Sequence, residues 1–411
     1  MSKVKLGTVI DSCLGKMLDA AKNKGEYEPY LANLNVRWGD FDLDNLSQMR
    51  FESHEQERYG IKYGDLIMCE GGEPGRCAIW QDELPDMKIQ KALHRIRPHD
   101  CLDVRYLYYW FLLAGKNGWL NRYFTETTIK HLPGDSLKDV EIDLIDLPLQ
   151  KGIADVLSSL DDKIRHNNRI CRELEAMAKT LYDYWFVQFD FPDENGKPYR
   201  ASGGEMVWNE RLKREIPKGW RCAVLSDFIS IENASVNPAT LGTEIMEHYS
   251  IPAYDDNFYP AFEQADTIQS GKYQVCKNSI LVSKLNPQFK RIWDPFCISE
   301  NAICSTEFMV YISHKDCLRP FCFALANSDG FYRHMVSKAI SSTGSRKRIQ
   351  PDVSLMYQFA APNTDVLLST FSARYCPIMD KIKQVRLENY ELQKLRDWLL
   401  PMLMNGQARV E

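Results

Sequence analysis

The sequence predicts an α+β protein in which two tandem globular domains are separated by two long helices. Three observations predict it: an internal repeat, one heptad pattern in each half, and strand-like stretches that alternate with short apolar helices. The chain has 411 residues, enough for two to four domains at about 100–200 residues each. Its 44% hydrophobic and 26% charged residues are typical of folded proteins and exclude the disordered and fibrous classes.

The internal repeat has a nearly constant offset. Residues 160–164 align with 378–382 and residues 4–6 align with 223–225, so the offset is almost the same at both places. Chance similarity between two amphipathic helices could explain the helical matches alone, but not the co-linear matches in the globular parts. The chain is therefore predicted to run globular, helix, globular, helix, with an approximate two-fold symmetry. The predicted segments are 1–146 (domain 1), 147–190 (central helix), 191–363 (linker and domain 2) and 364–411 (second helix).

Both predicted helices have an apolar seam whose steps alternate between four and three residues. One asparagine, Asn167 or Asn389, interrupts each seam, and this residue type fixes register at a cost in stability. Two ordinary core helices are the alternative, but repeated heptad steps in both halves favour an antiparallel coiled coil. The seam residues are Ile153, Leu157, Leu160, Ile164, Leu174 and Leu181 in the first helix, and Ile378, Ile382, Val385, Leu392 and Leu399 in the second.

Cations are clustered although the net charge is −5. Residues 88–97, 272–291 and 333–348 each hold several Lys and Arg and no acid. A solvated face explains any single run, but three runs across both halves favour nucleic acid, because Lys and Arg neutralise phosphates and Arg can read guanine. The candidate DNA contacts are Lys91, His94, Arg95, Lys130 and His131 in the first half, and Lys284, Asn286, Lys290, Arg291, Ser345, Arg346, Lys347 and Arg348 in the second.

Motifs for catalysis are missing from the sequence. There is no G-x-x-x-x-G-K-[ST] phosphate loop, and no spacing typical of metal ligands or of a Ser-His-Asp triad. Residues 286–289 read NPQF, which differs in its third position from the Asn-Pro-Pro-aromatic motif of amino-methyltransferases. No apolar run approaches the ~20 residues that span a bilayer. We therefore expect a non-catalytic, cytoplasmic chain without a metal, a membrane segment or a cofactor of its own.

Several stretches resemble the DNA-specificity subunit of type I restriction–modification systems. The most specific are LPLQ at 147–150, IADVLSSLDDKI at 153–164 and YWFVQFD at 184–190. The second helix ends with LRDWLLP at 395–401, and SKLNP at 283–287 fits the recognition domains of that family. The family usually has a proline pair near Pro148, where this chain has a single proline.

The resemblance implies that each globular copy is a target-recognition domain for one half of an asymmetric, split site in double-stranded DNA. It also implies that the coiled coil sets the distance between half-sites and binds two methyltransferase subunits, with S-adenosylmethionine in those partners. Two motor–nuclease subunits with ATP and Mg could join the complex. A coiled-coil adaptor without DNA specificity is the alternative. A self-contained methyltransferase is disfavoured because the sequence has no glycine-rich cofactor loop.

Overall fold

The protein mixes helices and strands, as the α+β prediction requires. The computed structural model describes residues 2–19, 23–44, 46–126, 130–343 and 346–408. They form two compact units: unit 1 is Met1–Lys163 with Leu392–Glu411, and unit 2 is Ile164–Glu391. Each of the two long helices contributes one part to each unit. Among the described residues, no helix is both long and apolar enough to cross a membrane.

Within its described residues, unit 1 contains thirteen strands, three short helices, the first part of one long helix and the last part of the second. In chain order they are β1 (Ser2–Lys5), β2 (Ile10–Leu14), β3 (Glu26–Leu31), β4 (Val36–Arg37), β5 (Asp40–Phe41), β6 (Ser47–Phe51), α1 (Gln56–Tyr59), β7 (Leu66–Cys69), β8 (Cys77–Ile79), β9 (Lys88–Ile89), β10 (Leu93–Pro98), α2 (Val104–Lys116), β11 (Thr125–Glu126), β12 (Lys130–His131), α3 (Gly134–Lys138), β13 (Glu141–Leu144) and α4 (Leu147–Tyr182).

Unit 2 begins inside α4 and ends inside the second long helix. Its further elements are β14 (Met206–Asn209), β15 (Arg214–Pro217), β16 (Trp220–Val224), β17 (Ile229–Ile231), β18 (Ser235–Val236), β19 (Ile245–Tyr249), α5 (Ile251–Asn257), β20 (Ala261–Gln264), β21 (Lys272–Gln274), β22 (Ser279–Ser283), β23 (Ile292–Trp293), β24 (Ala302–Ser305), β25 (Phe308–Ser313), α6 (Arg319–Ala326), α7 (Asp329–Lys338), β26 (Ile340–Thr343), β27 (Arg346–Arg348), α8 (Pro351–Leu355), β28 (Gln358–Pro362) and α9 (Asp365–Met404).

The two units share two kinds of β-sheet. Each has a four-stranded antiparallel sheet, with order β2-β10-β7-β8 in unit 1 and β17-β25-β22-β23 in unit 2. Each also has a sheet with one parallel pair. β3 lies between antiparallel β6 and parallel β9, and β19 lies between antiparallel β20 and parallel β24. Unit 2 extends this second sheet by β21 and β18.

A terminal strand pair completes the correspondence between the units. β1 pairs with β13 and β16 pairs with β28, and a long helix follows each closing strand. β1 starts at Ser2 and β16 at Trp220, while α4 starts at Leu147 and α9 at Asp365, so the strand and the helix are displaced by the same offset. The predicted tandem repeat of a globular domain and a helix is therefore confirmed.

Residues 61–69 and 274–284 are strand-like in sequence, but the buried strands β7 and β22 begin only at Leu66 and Ser279. In unit 1 the Asp65 carboxylate accepts the N–H of Lys62 at 2.9 Å, which closes a turn before β7 begins. In unit 2 the Ser279 hydroxyl accepts the N–H of Cys276 at 3.0 Å in the equivalent place. Short polar side chains that bond to nearby backbone favour turns over strands, which explains the later start.

The two long helices pack antiparallel to each other within unit 2. Asn389 Nδ2 donates to Asn168 Oδ1 at 2.7 Å, and the rings of Tyr182 and Phe371 lie 6.3 Å apart between centroids. Residue numbers therefore increase along one helix in the direction in which they decrease along the other. Every predicted seam residue is buried or half-buried. This confirms the predicted antiparallel pairing, which is expected because a whole globular domain separates the two helices in the sequence.

Candidate nucleic-acid interface

Two segments of unit 2 that are distant in sequence form one surface. They are the loop 284–291 after β22 and the hairpin β26–β27, and we call them the hairpin–loop surface. Asn286 N donates to Lys347 O at 2.7 Å, and Lys347 N donates to Asn286 Oδ1 at 2.9 Å. Leu285 forms an isolated β-bridge with Arg348, so the loop lies along the edge of the hairpin. The predicted contacts Lys284, Asn286, Arg346, Lys347 and Arg348 are thereby brought together.

The exposed cations of this surface are Arg346 and Lys347. Both side chains are exposed, and within the described part of the chain neither forms an ion pair. Lys284 is half-buried beside them. Exposed cations without a carboxylate partner are free to neutralise phosphates or, for Arg, to bind a guanine edge. Ser345, also predicted as a contact, lies outside the described residues.

Three cations of unit 2 that are predicted to contact DNA bond to other residues of the protein. Arg348 forms a bidentate pair with Glu307, with distances of 3.1 and 2.5 Å. Arg291 forms a bidentate pair with Asp255 at 2.6 and 2.7 Å. Lys290 Nζ donates to the carbonyl oxygen of Asn327. All three cations therefore bond to the protein itself, and the bidentate pairs fix the side chains of Arg348 and Arg291 in one orientation.

An exposed aromatic residue lies in the same loop and was missed as a contact by sequence reasoning. Phe289 is 55% exposed, and the guanidinium of Arg291 lies 5.2 Å from its ring centroid. An aromatic ring inside a basic loop can stack on a base or pack against a sugar. The signal in the sequence was the aromatic residue between cations at 284–291.

Unit 1 has the equivalent surface with different side chains. Its hairpin is β11–β12, and His131 forms an isolated bridge with Gly71, in the place of the bridge between Arg348 and Leu285. Leu132 N donates to Glu70 O at 2.7 Å. A Cβ on Gly71 would lie 2.8 Å from His131 Nδ1, so a larger residue at this position would have to displace the imidazole ring.

The charge of the two surfaces differs. In unit 1 Lys130 is exposed and His131 is half-buried. The loop opposite them carries Glu70 and Glu73, and Glu73 accepts hydrogen bonds from Trp38 Nε1 at 2.9 Å and from Arg76 at 2.7 Å. The same structural position is therefore basic in unit 2 and mixed in unit 1.

The prediction for His94 needs a correction. The side chain is only 1% exposed, and its Nε2 lies 2.9 Å from the carbonyl oxygen of Leu132. Burial lowers the pKa of His94, so the ring is neutral near pH 7. A neutral, buried imidazole cannot contact a phosphate, and its role is to hold β10 against the chain that follows β12. The basic run around it misled the prediction because charge patterning does not show which strand positions face inward.

The other two cations of that run differ from each other. Arg95 donates to the carbonyl oxygens of Arg58 and Gly60 at 2.8 and 2.6 Å, so it closes the short helix α1 onto β10. Burial lowers the pKa of Arg95, which nonetheless stays far above neutral pH. Lys91 is exposed. Its contact with DNA remains a prediction, as do those of the other exposed cations.

One cluster of acids with a histidine could in principle hold a metal ion within the described ranges. It consists of Glu52, His54 and Glu55 in unit 1. Lys16 already donates to the Glu55 carboxylate, which also accepts the N–H of Glu52 at 3.0 Å. Burial acts to raise the pKa of Glu55, but these two donors outweigh it and the pKa lies below its usual value. The carboxylate is neutralised by lysine and is not free as a ligand.

Comparison with known proteins identifies one family. Residues 1–176 match the type I restriction modification DNA specificity domain. The type I restriction enzyme MjaIX specificity subunit of Methanocaldococcus jannaschii is 26% identical over 370 residues, which cover 85% of this chain and 78% of that protein. The type I restriction enzyme HindI specificity subunit of Haemophilus influenzae is 26% identical over 139 residues, 33% of this chain and 30% of that protein.

A solved structure has the same fold. The S subunit of a type I restriction–modification system from M. genitalium aligns with a TM-score of 0.56 at 14% identity, over 98% of this chain and 95% of that chain. The agreement extends over both units and both long helices. The resemblance that the helix sequences indicated is confirmed.

Proposed function

We propose that this chain is a DNA specificity subunit of a type I restriction–modification system, because residues 1–176 match the DNA specificity domain and a specificity subunit aligns over 85% of the chain. The chain reads a bipartite, asymmetric site in double-stranded DNA, and each unit reads one half. It directs partner subunits that methylate adenine at N6 and restrict unmodified DNA. It is itself non-catalytic and acts in the cytoplasm, where the chromosome is.

The observation that carries this proposal is the repetition of one surface with different side chains. Both units build a hairpin against a loop of the four-stranded sheet, at the bridges Gly71–His131 and Leu285–Arg348. The repeated backbone gives both units the same means of approaching a duplex. Different side chains at the same place, mixed in charge in unit 1 and basic in unit 2, suit two different half-sites. An asymmetric target is the expected consequence.

The helix pair has two roles in this proposal. It sets the distance between the half-sites, because paired helices are stiffer than a loop. It also provides the surface for two methyltransferase subunits, with the seam residues holding the helices together underneath. S-adenosylmethionine binds to those partners, which flip the target adenine out of the duplex. ATP and Mg belong to the motor–nuclease subunits, where these are present.

An adaptor without DNA specificity is the second candidate function. Exposed apolar side chains on α9 favour it, since Trp398 is 60% exposed and Leu395 is also exposed. A surface of this kind is typical of protein–protein contacts. The specificity subunit needs such a surface as well, so DNA binding decides between the two candidates.

Selection from random DNA tests the proposal. The chain is co-purified with its methyltransferase subunits and incubated with a library of random duplexes at several salt concentrations, and retained DNA is sequenced. We expect a split motif with a gap of fixed length and retention that falls with salt. A complex with Arg346→Ala and Lys347→Ala should lose one half of the motif and keep the other. An intact complex that enriches no motif would support the adaptor.

A further inference from the structure

Asn286 makes an unusual pair of bonds at the centre of the hairpin–loop surface. Its backbone N–H donates to Lys347 O at 2.7 Å, and its side-chain Oδ1 accepts the N–H of Lys347 at 2.9 Å. Both polar groups of the Lys347 backbone on this side are therefore bound by a single residue. Two bonds to one residue's backbone fix the orientation of strand β27 as well as its position.

The backbone of Asn286 requires a residue type that tolerates a left-handed conformation. Its φ is +48°, a region that Asn adopts more readily than most residues. The side chain also supplies the acceptor for Lys347. Glycine would satisfy only the first requirement and alanine neither. The carbonyl oxygen of Asn286 accepts the N–H of Phe289 at 2.9 Å, so the same residue also closes the loop.

A second anchor lies beside the first. Lys284 N donates to the carbonyl oxygen of Glu307 at 2.9 Å, and the Glu307 carboxylate holds Arg348 in its bidentate pair. The neighbouring Ile349 N donates to Lys284 O at 3.1 Å. Arg348 is thus engaged at the end of β27, while Arg346 and Lys347 remain exposed.

We propose that Asn286 is a positioning residue of the second DNA-reading domain: it fixes β27 so that Arg346 and Lys347 reach the half-site, and its effect on discrimination acts through these two cations. The inference rests on the proposed function and replaces the prediction that Asn286 contacts DNA. It is argued from the two bonds to Lys347, in which the backbone N–H and the Oδ1 atom of Asn286 are both engaged in holding β27.

The test compares binding discrimination in the purified complex with partner subunits. Discrimination is the ratio of Kd values for a duplex with one half-site scrambled and for the full site from the selection. We expect Asn286→Ala to lower discrimination at the half-site of unit 2 by up to about tenfold, the order of one hydrogen bond, and to leave the other half-site unchanged. Asn286→Asp keeps the Oδ1 acceptor and tolerates the backbone. Its added negative charge beside Arg346 and Lys347 should weaken binding to the full and the scrambled duplex alike, so the ratio that defines discrimination should stay within about threefold of the natural protein.

A double-mutant cycle separates positioning from direct contact. In a background of Arg346→Ala with Lys347→Ala, the effect of Asn286→Ala on discrimination should disappear, because no reading side chain is left to position. Additive losses, or a loss with Asn286→Asp as large as with Asn286→Ala, would overturn the inference in favour of a direct contact. Unchanged discrimination with Asn286→Ala would also overturn it.

Two further comparisons keep the result decisive. If Asn286→Ala also lowers discrimination at the half-site of unit 1, this variant is misfolded. The comparison of Asn286→Gly with Asn286→Asp then tests the positioning role, because both residues tolerate the backbone conformation and only Asp keeps the acceptor. A loss in Gly without a loss in Asp supports positioning, and equal values overturn it. Failure of the natural complex to bind any bipartite site would instead refute the proposed function.

Discussion

Arg396 is a charged residue at a position of the heptad seam where an apolar one is expected. In unit 1 its guanidinium donates to Asp161 at 2.8 Å, and the hydroxyl of Tyr109 donates to the same carboxylate at 2.6 Å. Both charged side chains are only 18% exposed. Burial acts to lower the pKa of Arg396, but the adjacent Asp161 outweighs it and raises the pKa. The ion pair therefore anchors the end of α9 in unit 1.

Removing one partner of this pair should cost more than removing an exposed acid beside it. We expect Asp161→Ala to destabilise the protein by about 3 kcal/mol, because it leaves Arg396 largely buried without its carboxylate. Asp397→Ala is the matched control, since this exposed acid also bonds to Arg396 and should cost at most about 1 kcal/mol. Denaturant unfolding followed by circular dichroism measures both. Equal losses would contradict the anchoring role of Asp161.

The pair between Glu307 and Arg348 gives a pH dependence with a defined sign. Hydrogen bonding to Arg348 outweighs partial burial and lowers the pKa of Glu307 below 4.5. The pKa of Glu307 is therefore lower in the folded protein than in the unfolded chain. Its ionised carboxylate stabilises the fold fully at pH values above the unfolded-state pKa, and this stabilisation is lost as the pH falls through the folded-state pKa.

The expected result is a stability difference between the natural protein and Glu307→Gln that is constant above about pH 5 and shrinks below about pH 4.5. The difference at neutral pH should be about 1 kcal/mol, since solvent reaches the pair. Thermal unfolding at pH 3.5 to 7 measures it for both proteins. A difference that grew on acidification would show that the carboxylate is not stabilised by Arg348.

At the scale of elements, the helices could be predicted and the strand pairings could not. The seam of α4 and α9 follows from a period in the sequence, and Tyr106–Ala114 of α2 is an apolar run that is buried throughout. By contrast, the parallel pairs β3–β9 and β19–β24 join strands that are far apart in the sequence, with several other elements between them. Pairing over that distance depends on the packing of the whole unit, which no local pattern encodes.

The asparagine in the seam of α9 is a specific weakness of the helix pair. Asn389 Nδ2 bonds to Asn168, but its buried Oδ1 has no partner in the described residues. An unsatisfied buried carbonyl costs about 1–3 kcal/mol. Asn389→Leu should therefore raise the midpoint of thermal unfolding by a few degrees.

The matched control for that variant is Asn167→Leu in the other helix. Asn167 Nδ2 donates to Glu388 at 3.1 Å, and no atom of Asn167 is orphaned in the part of the chain that the structure describes. Asn167→Leu should therefore raise the midpoint of thermal unfolding by less than Asn389→Leu does. An equal or larger gain for Asn167→Leu would show that burial of leucine, and not the orphaned oxygen, causes the effect.

At the scale of the whole molecule, the repeat could be predicted and the site only in part. The nearly constant offset between the two copies is visible in the sequence because both keep the same order of elements. The free cations were harder to predict. Arg291 is neutralised by Asp255, 36 residues away, and His94 is buried against Leu132, 38 residues away. Such partners are distant in sequence, so a basic run alone does not show which charges remain free.

The proposed role of the helix pair in setting the distance between half-sites leads to a prediction for the whole complex. Four residues inserted after Lys163 in α4 and four after Glu391 in α9 add about 6 Å to each helix. This length corresponds to about two base pairs of duplex DNA. We expect both half-site sequences to persist while the gap between them lengthens. Selection from random DNA measures the gap, and an unchanged gap would contradict this role.

The most direct test of the central claim is a map of N6-methyladenine by single-molecule sequencing. The host lacks other methylation and expresses the methyltransferase partners with and without this chain. We expect a split, asymmetric motif to be methylated only when the chain is present, and its second half to change with Arg346→Ala and Lys347→Ala. The same methylation with and without the chain, or none although the partners are expressed, would contradict the claim that this chain directs the modification.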